Sequence, residues 1–307
     1  MKKILLPFIL LLTLIVSACG NNAAKEEKKT TDKKKEPTTI TYQSENGPVE
    51  VPADPQRVVL LSGFTGNVVA LDVNIVGIDK WSKGNPTFKE ELKDVAEVSD
   101  ENLEQIIELN PDLIIGLSNI KNVDKLKEIA PTVTYTWGKV DYLTQHLEIG
   151  KLLNKEKEAQ SWIDDYKSRA TELGGKIKAK IGEDATVSVV ESYDKQLYVF
   201  GDNWARGTEI LYQEMKLNMP AKVKETALKP GYYAISAEVL PEYAGDYVVF
   251  SKRGTADNSF QETETYKNIP AVKNNRVFEV DAEAASFSDP ITLDFLLKQF
   301  EEAFLGN

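Results

Sequence analysis

The segment Tyr198 to Gly207, reading Tyr-Val-Phe-Gly-Asp-Asn-Trp-Ala-Arg-Gly, places two ligand-competent side chains two residues apart. It predicts a β-strand running into a Gly201-Asp202-Asn203 turn, which leaves Trp204 and Arg206 just ahead of a new helix. A tryptophan on a turn is poorly placed for core packing, and Arg206 can point the same way. Together they supply an aromatic wall and a permanent cation with several donors, chemistry suited to a ligand carrying anionic oxygens. The same spacing also allows Trp204 to cap the core of its lobe while Arg206 pairs with a surface acid, and spacing alone does not choose between the two.

Other chemistries find little footing. Gly-x-Ser-x-Gly, His-Glu-x-x-His and Gly-x-x-x-x-Gly-Lys-Ser/Thr are all absent. The single histidine, His146, lies in a helical stretch between Leu143 and Leu147, which sets it beside a packed face and away from any cysteine. Neither a Ser-His-Asp triad nor a protein-built zinc or transition-metal site is expected. Abundant carboxylates leave a two-acid glycosidase as an alternative from composition, but the chain reads as a binder and not an enzyme. With 48 acidic and 37 basic residues and a net charge of −11, nucleic acid is not an expected partner; small molecules and proteins are.

The N-terminus sets the location. Lys2 and Lys3 precede an apolar run, Ile4 to Val16, too short to cross a bilayer as a helix, so residues 1–18 read as an export signal. Val16-Ser17-Ala18-Cys19 resembles the lipobox of bacterial lipoproteins, which implies lipidation of Cys19, the only cysteine. An ordinary secretory signal that happens to precede a cysteine is the alternative. Residues 19–38 contain no aliphatic side chain larger than alanine apart from the proline and read as a disordered tether. The expected location is the outer face of the cell membrane, with the protein held by its lipid.

The remaining body of roughly 270 residues is near the size at which one core divides, so two lobes are expected. Helix and buried strand alternate in 39–141, for instance a helix capped at Ser99 or Asp100, then a strand at Leu113 to Leu117, a helix at Val123 to Ile129 and a strand at Val133 to Trp137. Residues 142–181 read as a long connecting helix broken near Asn154. Alternation resumes in 182–307, with strands at Thr186 to Val190 and Gln196 to Phe200, a helix at Thr208 to Met215, and a terminal helix opened by Ser288-Asp289-Pro290. Glu104 on a helix is followed eight residues later by Asp112 and an apolar strand, and Glu238, on an expected helix, stands the same distance before Asp246 and Tyr247 to Phe250. The two lobes therefore read as related units.

The Gly201 to Gly207 segment resembles that of the iron(III)-hydroxamate siderophore-binding lipoproteins of Gram-positive bacteria. The likeness extends through Arg57, Asn119-Ile120-Lys121, Ile129 to Val133, Tyr243 to Tyr247 and Asp289-Pro290, and the chain resembles Bacillus-type receptors for schizokinen-like citrate-hydroxamate siderophores. It implies an α/β fold of two Rossmann-like lobes joined by one long helix, of the class III periplasmic-binding-protein type. It implies a monomer that captures a ferric siderophore and delivers it to an ABC permease; the ligand brings its own iron-coordinating groups, so no cofactor or protein-bound metal is needed. By position, Tyr198, Trp204 and Arg206 become ligand contacts with Arg206 on the oxyanions, Trp137 a further aromatic, and Glu104 and Glu238 the permease-docking acids. Some relatives place a second aromatic shortly before the Asp-Pro; here Ser286 departs, and Phe287 is expected to compensate. Phe64 and Trp81 are added as contacts by location. Receptors for catecholate siderophores, haem or a corrinoid remain alternatives, as does an exported hydrolase or adhesin.

Overall fold

The computed structural model describes residues 38–306; the signal segment 1–18, Cys19 and the tether through residue 37 lie outside the described residues. Among the described residues no helix is long and apolar enough to cross a membrane.

The first lobe opens with an antiparallel hairpin, β1 (Thr39–Ser44) and β2 (Gly47–Pro52), and continues as β3 (Val58–Leu61), α1 (Thr65–Val69), β4 (Ile75–Ile78), α2 (Lys80–Gly84), β5 (Ala96–Glu97), α3 (Leu103–Glu108), β6 (Leu113–Leu117), α4 (Val123–Ile129) and β7 (Thr132–Tyr135). The strands form a parallel sheet in the order β5-β4-β3-β6-β7. Its unbroken apolar strands are explained by cover on both faces: Val58, Leu60, Leu113 and Ile115 enter one core, Val59, Leu61 and Ile114 the other.

The second lobe comprises β8 (Val187–Tyr193), β9 (Gln196–Phe200), a π-helical turn at Glu209–Glu214, α7 (Ala221–Ala227), β10 (Tyr232–Ile235), α8 (Leu240–Tyr243), β11 (Tyr247–Lys252), α9 (Glu264–Lys267), α10 (Pro270–Lys273) and β12 (Val277–Asp281). The sheet order is β10-β9-β8-β11-β12; β8, β11 and β12 run parallel, while β9 and β10 are antiparallel additions. Asp194 and Lys195, with φ of 46° and 65°, make the tight β8–β9 turn.

The two lobes repeat one anchoring device. Val58 pairs with Leu113 and Val187 with Tyr247. The residue before each later strand is the aspartate picked out by the sequence, and it binds the residue before the earlier strand. Asp112 Oδ1 accepts the Arg57 N–H at 2.9 Å, and Asp246 Oδ2 accepts the Thr186 N–H at 2.8 Å.

The connector breaks at Asn154, whose φ of 56° is left-handed, into α5 (Tyr142–Leu152) and α6 (Glu156–Ile181). Ile149 and Leu152 of α5 lie in a core of the first lobe, so α6 makes the crossing, from Ala159 in that core to Tyr166, Ala170, Leu173 and Ile177 in the second. The final helix, α11 (Pro290–Leu305), begins where Asp289 Oδ1 accepts the Thr292 N–H at 2.9 Å, and Pro290 occupies the first turn. Leu293, Leu296, Leu297, Phe300 and Phe304 enter the second lobe, while Phe287 and Ile291 pack against the first. A Cβ at Gly66 of α1 would overlap the Asp289 carboxylate, so glycine permits this seam.

Several expectations are corrected locally. The cap of α3 is Asn102, which accepts the Gln105 N–H, while Asp100 instead accepts the Lys121 N–H. The first sheet's last strand ends at Tyr135, leaving Trp137 in the following loop. The helix expected from Thr208 is π-helical, and Glu238 lies in a turn ahead of α8 and not on a helix.

Candidate functional site

A cleft of about 710 Å³ opens between the lobes. The first lobe supplies Phe64, Asn67, Trp137 and Lys139, with Tyr142 and Gln145 from α5; the second supplies Asp202, Trp204, Glu209, Tyr212, Gln213 and Lys216. Phe287 and Ser288, in the segment before α11, complete the wall.

Trp204 is held by an unusual turn. Ala205, Arg206 and Gly207 follow with φ of 56°, 57° and 79°, all left-handed, and two of the three are not glycine. Such backbone persists where its surroundings over-determine it. Here the Trp204 N–H donates to Thr208 Oγ1 at 3.0 Å, the Ala205 N–H to Glu209 Oε1 at 3.0 Å and the Arg206 N–H to the Ala285 carbonyl at 2.9 Å. Gly231 leaves room for the indole, since a Cβ there would meet the Trp204 ring. Behind it the Tyr232 ring lies at 5.0 Å, with Tyr198 edge-on to Tyr232 at 5.8 Å.

Arg206 does not line the cleft. Its Nε and Nη2 donate to the two carboxylate oxygens of buried Glu191 at 2.9 and 3.0 Å, and its Nη1 donates to the Trp204 carbonyl at 3.2 Å. Ser251 Oγ donates a further hydrogen bond to Glu191 at 2.6 Å, and the guanidinium sits 5.0 Å from the centre of the Phe200 ring. The acid pairing considered for Arg206 is thus present, but with a buried partner and not a surface one.

The other named aromatics divide. Trp137, 58% exposed, lines the cleft, as do Trp204 and Phe287. Phe64 belongs to both cleft and core: it is buried and meets Tyr135 edge-on at 5.3 Å. Phe287 packs between Trp81 and Phe88, each ring at 5.8 Å, whereas Ser286 is buried with its hydroxyl on the Ala282 carbonyl. Trp81, 63% exposed, packs on Phe287 outside the cleft lining, and Tyr198, edge-on to Tyr232, is also outside it. Glu104, in the first turn of α3, and Glu238 are exposed on the outside of their lobes; hydrogen bonding from Ser236 holds the Glu238 carboxyl below its usual range.

Tertiary placement adds side chains that no local pattern announced. Asn67 and Gln145 come from different helices, and Tyr142, at the start of α5, and Tyr212, on the π-helical turn, both pack against the second lobe's core as they reach the cleft. Tyr142 donates to Glu214 at 2.9 Å, and burial raises its hydroxyl pKa. His146 is buried one step behind this wall, Nδ1 3.1 Å from Asn67 Oδ1 and edge-on to Trp162. Desolvation lowers it to about 4, so near neutral pH the ring is uncharged and Nδ1–H donates to Asn67. Burial also pushes the Glu209 carboxyl up, against the hydrogen bonds it accepts. Among the described residues no three His, Cys, Asp or Glu side chains gather as a metal site. Aromatic rings set among amides, hydroxyls, two exposed lysines and the carboxylates of Asp141, Asp202 and Glu209 form a surface for recognition.

Residues 58–284 match the profile of the periplasmic binding protein family. The iron(3+)-hydroxamate-binding protein FhuD of Bacillus subtilis is 36% identical over 272 residues, 86% of either chain, and YxeB of the same organism, also named an iron(3+)-hydroxamate-binding protein, is 35% identical over 279. Among solved structures, Staphylococcus aureus FhuD2 with bound ferrioxamine B has a TM-score of 0.78 at 34% identity, covering 82% of this chain and 99% of that one. FhuD of S. pseudintermedius gives the same TM-score and identity over 88% of this chain and 99% of its own. With its two related α/β lobes spanned by α6, this chain belongs to the periplasmic binding protein family, in its two-lobed class III form.

Proposed function

We propose that this chain captures a ferric hydroxamate siderophore in the interlobe cleft and delivers it to an ABC permease for iron uptake. The observation that carries this reading is the cleft itself: about 710 Å³, with Trp204, Trp137, Phe64 and Phe287 set among amide, hydroxyl and charged side chains from both lobes. That volume and composition suit a compact coordination complex. Two relatives named for iron(3+)-hydroxamate binding, and a similar structure holding ferrioxamine B, support it. A ligand that already wraps its iron asks the protein for shape and hydrogen bonds.

The pairing with Glu191 and the bond to the Trp204 carbonyl give Arg206 a part in supporting the Trp204 turn. Lys139 and Lys216 are cations at the cleft, suited to the iron-bound carboxylate and hydroxamate oxygens of a schizokinen-like citrate-hydroxamate complex. Lys139 also lies 3.3 Å from the half-buried Glu45, while its own side chain stays exposed. Trp81 extends the Phe287 wall at the rim. Cys19 carries the lipid that holds the monomer on the outer face of the membrane, and no resident cofactor takes part.

Titration of the purified protein with ferric schizokinen, ferrioxamine B and ferrichrome should quench tryptophan emission saturably, since Trp137 and Trp204 line the cleft. Indifference to all three, or saturable quenching by haem or a ferric triscatecholate alone, would overturn the reading.

A further inference from the structure

We infer that Glu209 is the positioning residue that locks the two aromatic walls of the cleft to each other. The inference rests on the cleft being the siderophore site, and it assigns the group that sets that site's shape.

Glu209 is 3% exposed, on the π-helical turn beneath the cleft. One of its oxygens serves both walls. Oε1 accepts the Ala205 N–H at 3.0 Å, fixing the left-handed turn that presents Trp204, and it accepts the Ser288 hydroxyl at 2.9 Å, fixing the segment that presents Phe287. Thr208 Oγ1 lies 3.1 Å from Oε2, donates to the Ala205 carbonyl at 2.9 Å and accepts the Trp204 N–H. The two walls have different attachments: Trp204 packs with the second lobe's core, while Phe287 packs against the first. A single carboxylate therefore sets the spacing between an indole on one lobe and a phenyl ring docked on the other. Two consecutive non-glycine residues with positive φ make the turn costly to hold without that acceptor.

The bonding pattern separates the acceptor from the charge. Glu209→Gln keeps Oε1 for both donors and puts an amide against Thr208 Oγ1, which can accept; Glu209→Leu fills the space and removes the acceptor. Ser288→Ala cuts the link to Phe287 alone. In a chain whose only tryptophan is Trp204, with Trp81, Trp137 and Trp162 replaced by Phe, Glu209→Leu should about double acrylamide quenching of Trp204 without any ligand, while Glu209→Gln leaves it as it was. With all tryptophans present, Glu209→Leu should weaken ferrioxamine B binding by about ten-fold and Ser288→Ala by about three-fold, the loss of one or two hydrogen bonds to a positioned wall. Glu209→Gln should stay within about two-fold. In a Phe287→Ala background the Glu209→Leu loss should shrink, because part of what it positions is gone. Unchanged Trp204 quenching in Glu209→Leu overturns the inference whether or not the siderophore reading survives. So do equal losses in the Gln and Leu variants, or fully additive losses with Phe287→Ala, in proteins whose melting confirms they are folded. Failure of the unmutated protein to bind any ferric hydroxamate would instead overturn the functional reading, leaving the ligand-free quenching to decide this one.

Discussion

Trp204 and Arg206 are two residues apart, yet their side chains part company because the backbone between them is left-handed. The indole reaches the cleft, whereas the guanidinium turns back to Glu191, fifteen positions earlier on β8. The sequence marks Trp204 as a surface aromatic because the Gly-Asp-Asn turn is a local signal. It does not mark Glu191, because a partner across a sheet depends on register. Removing Arg206 leaves a carboxylate buried at 2% exposure with the Ser251 hydroxyl and the more distant Arg253, 4.0 Å away, as partners. Arg206→Ala should therefore lower unfolding free energy by about 3 kcal/mol, the scale for breaking a buried pair from one side. The double variant Arg206→Ala, Glu191→Ala should recover a good part of it. Chemical denaturation of the four proteins checks this, and an Arg206→Ala curve that overlays the parent's would show that the pair contributes little. Siderophore affinity measured in the double variant then isolates any contact of Arg206 with ligand from its support of the fold.

At the scale of elements, the strands and helices whose apolar runs are bounded by proline, glycine or aspartate were legible to within a residue or two. Leu113 to Leu117, Val123 to Ile129 and Gln196 to Phe200 fall on β6, α4 and β9. What escaped has weak local signals: β10 exposes Tyr232 and Tyr233, so it shows no core periodicity, and the β8–β9 turn uses Asp194-Lys195 where Asn-Gly would have announced it. The repeated αβ unit was visible through Asp112 and Asp246, and their matching bonds explain why each spacing is kept. The same frame gives Glu104 and Glu238 equivalent places, each eight residues ahead of its anchoring aspartate, even though only Glu104 is on a helix. Both are exposed, one on each lobe. If these are the acids that meet the permease, Glu104→Ala and Glu238→Ala should leave siderophore affinity unchanged and cut iron uptake by whole cells, with the double variant lower than either. Normal uptake in the double variant would remove the role, and loss of binding in either single variant would move that residue into ligand recognition.

At the scale of the whole molecule, α6 and α11 both touch the two lobes, so the cleft is framed by two struts and not one. Hydrophobic periodicity showed the terminal helix but could not show that its first turn docks on α1 of the other lobe. Asp289 sits at that joint, fully buried, and desolvation raises its carboxyl from 3.8 to about 6 despite the Thr292 and Ile291 N–H groups that favour the charge. The sign follows from linkage. Below pH 3.8 the group is protonated in folded and unfolded chains alike and costs nothing. Between 3.8 and about 6 the folded state holds its proton more tightly, so stability falls as pH rises; above about 6 the full cost of a buried charge is present, up to about 3 kcal/mol at 1.36 kcal/mol per unit. Asn at this position retains a cap acceptor for Thr292 without the charge. Asp289→Asn should thus melt at a higher temperature than the parent at pH 7.5, with the difference closing as the pH approaches 3.5. A variant less stable at pH 7.5, or a difference that persists unchanged into acid, would mean that the seam needs the ionised carboxylate, and that the charge at the joint is held there by interactions stronger than the backbone amides.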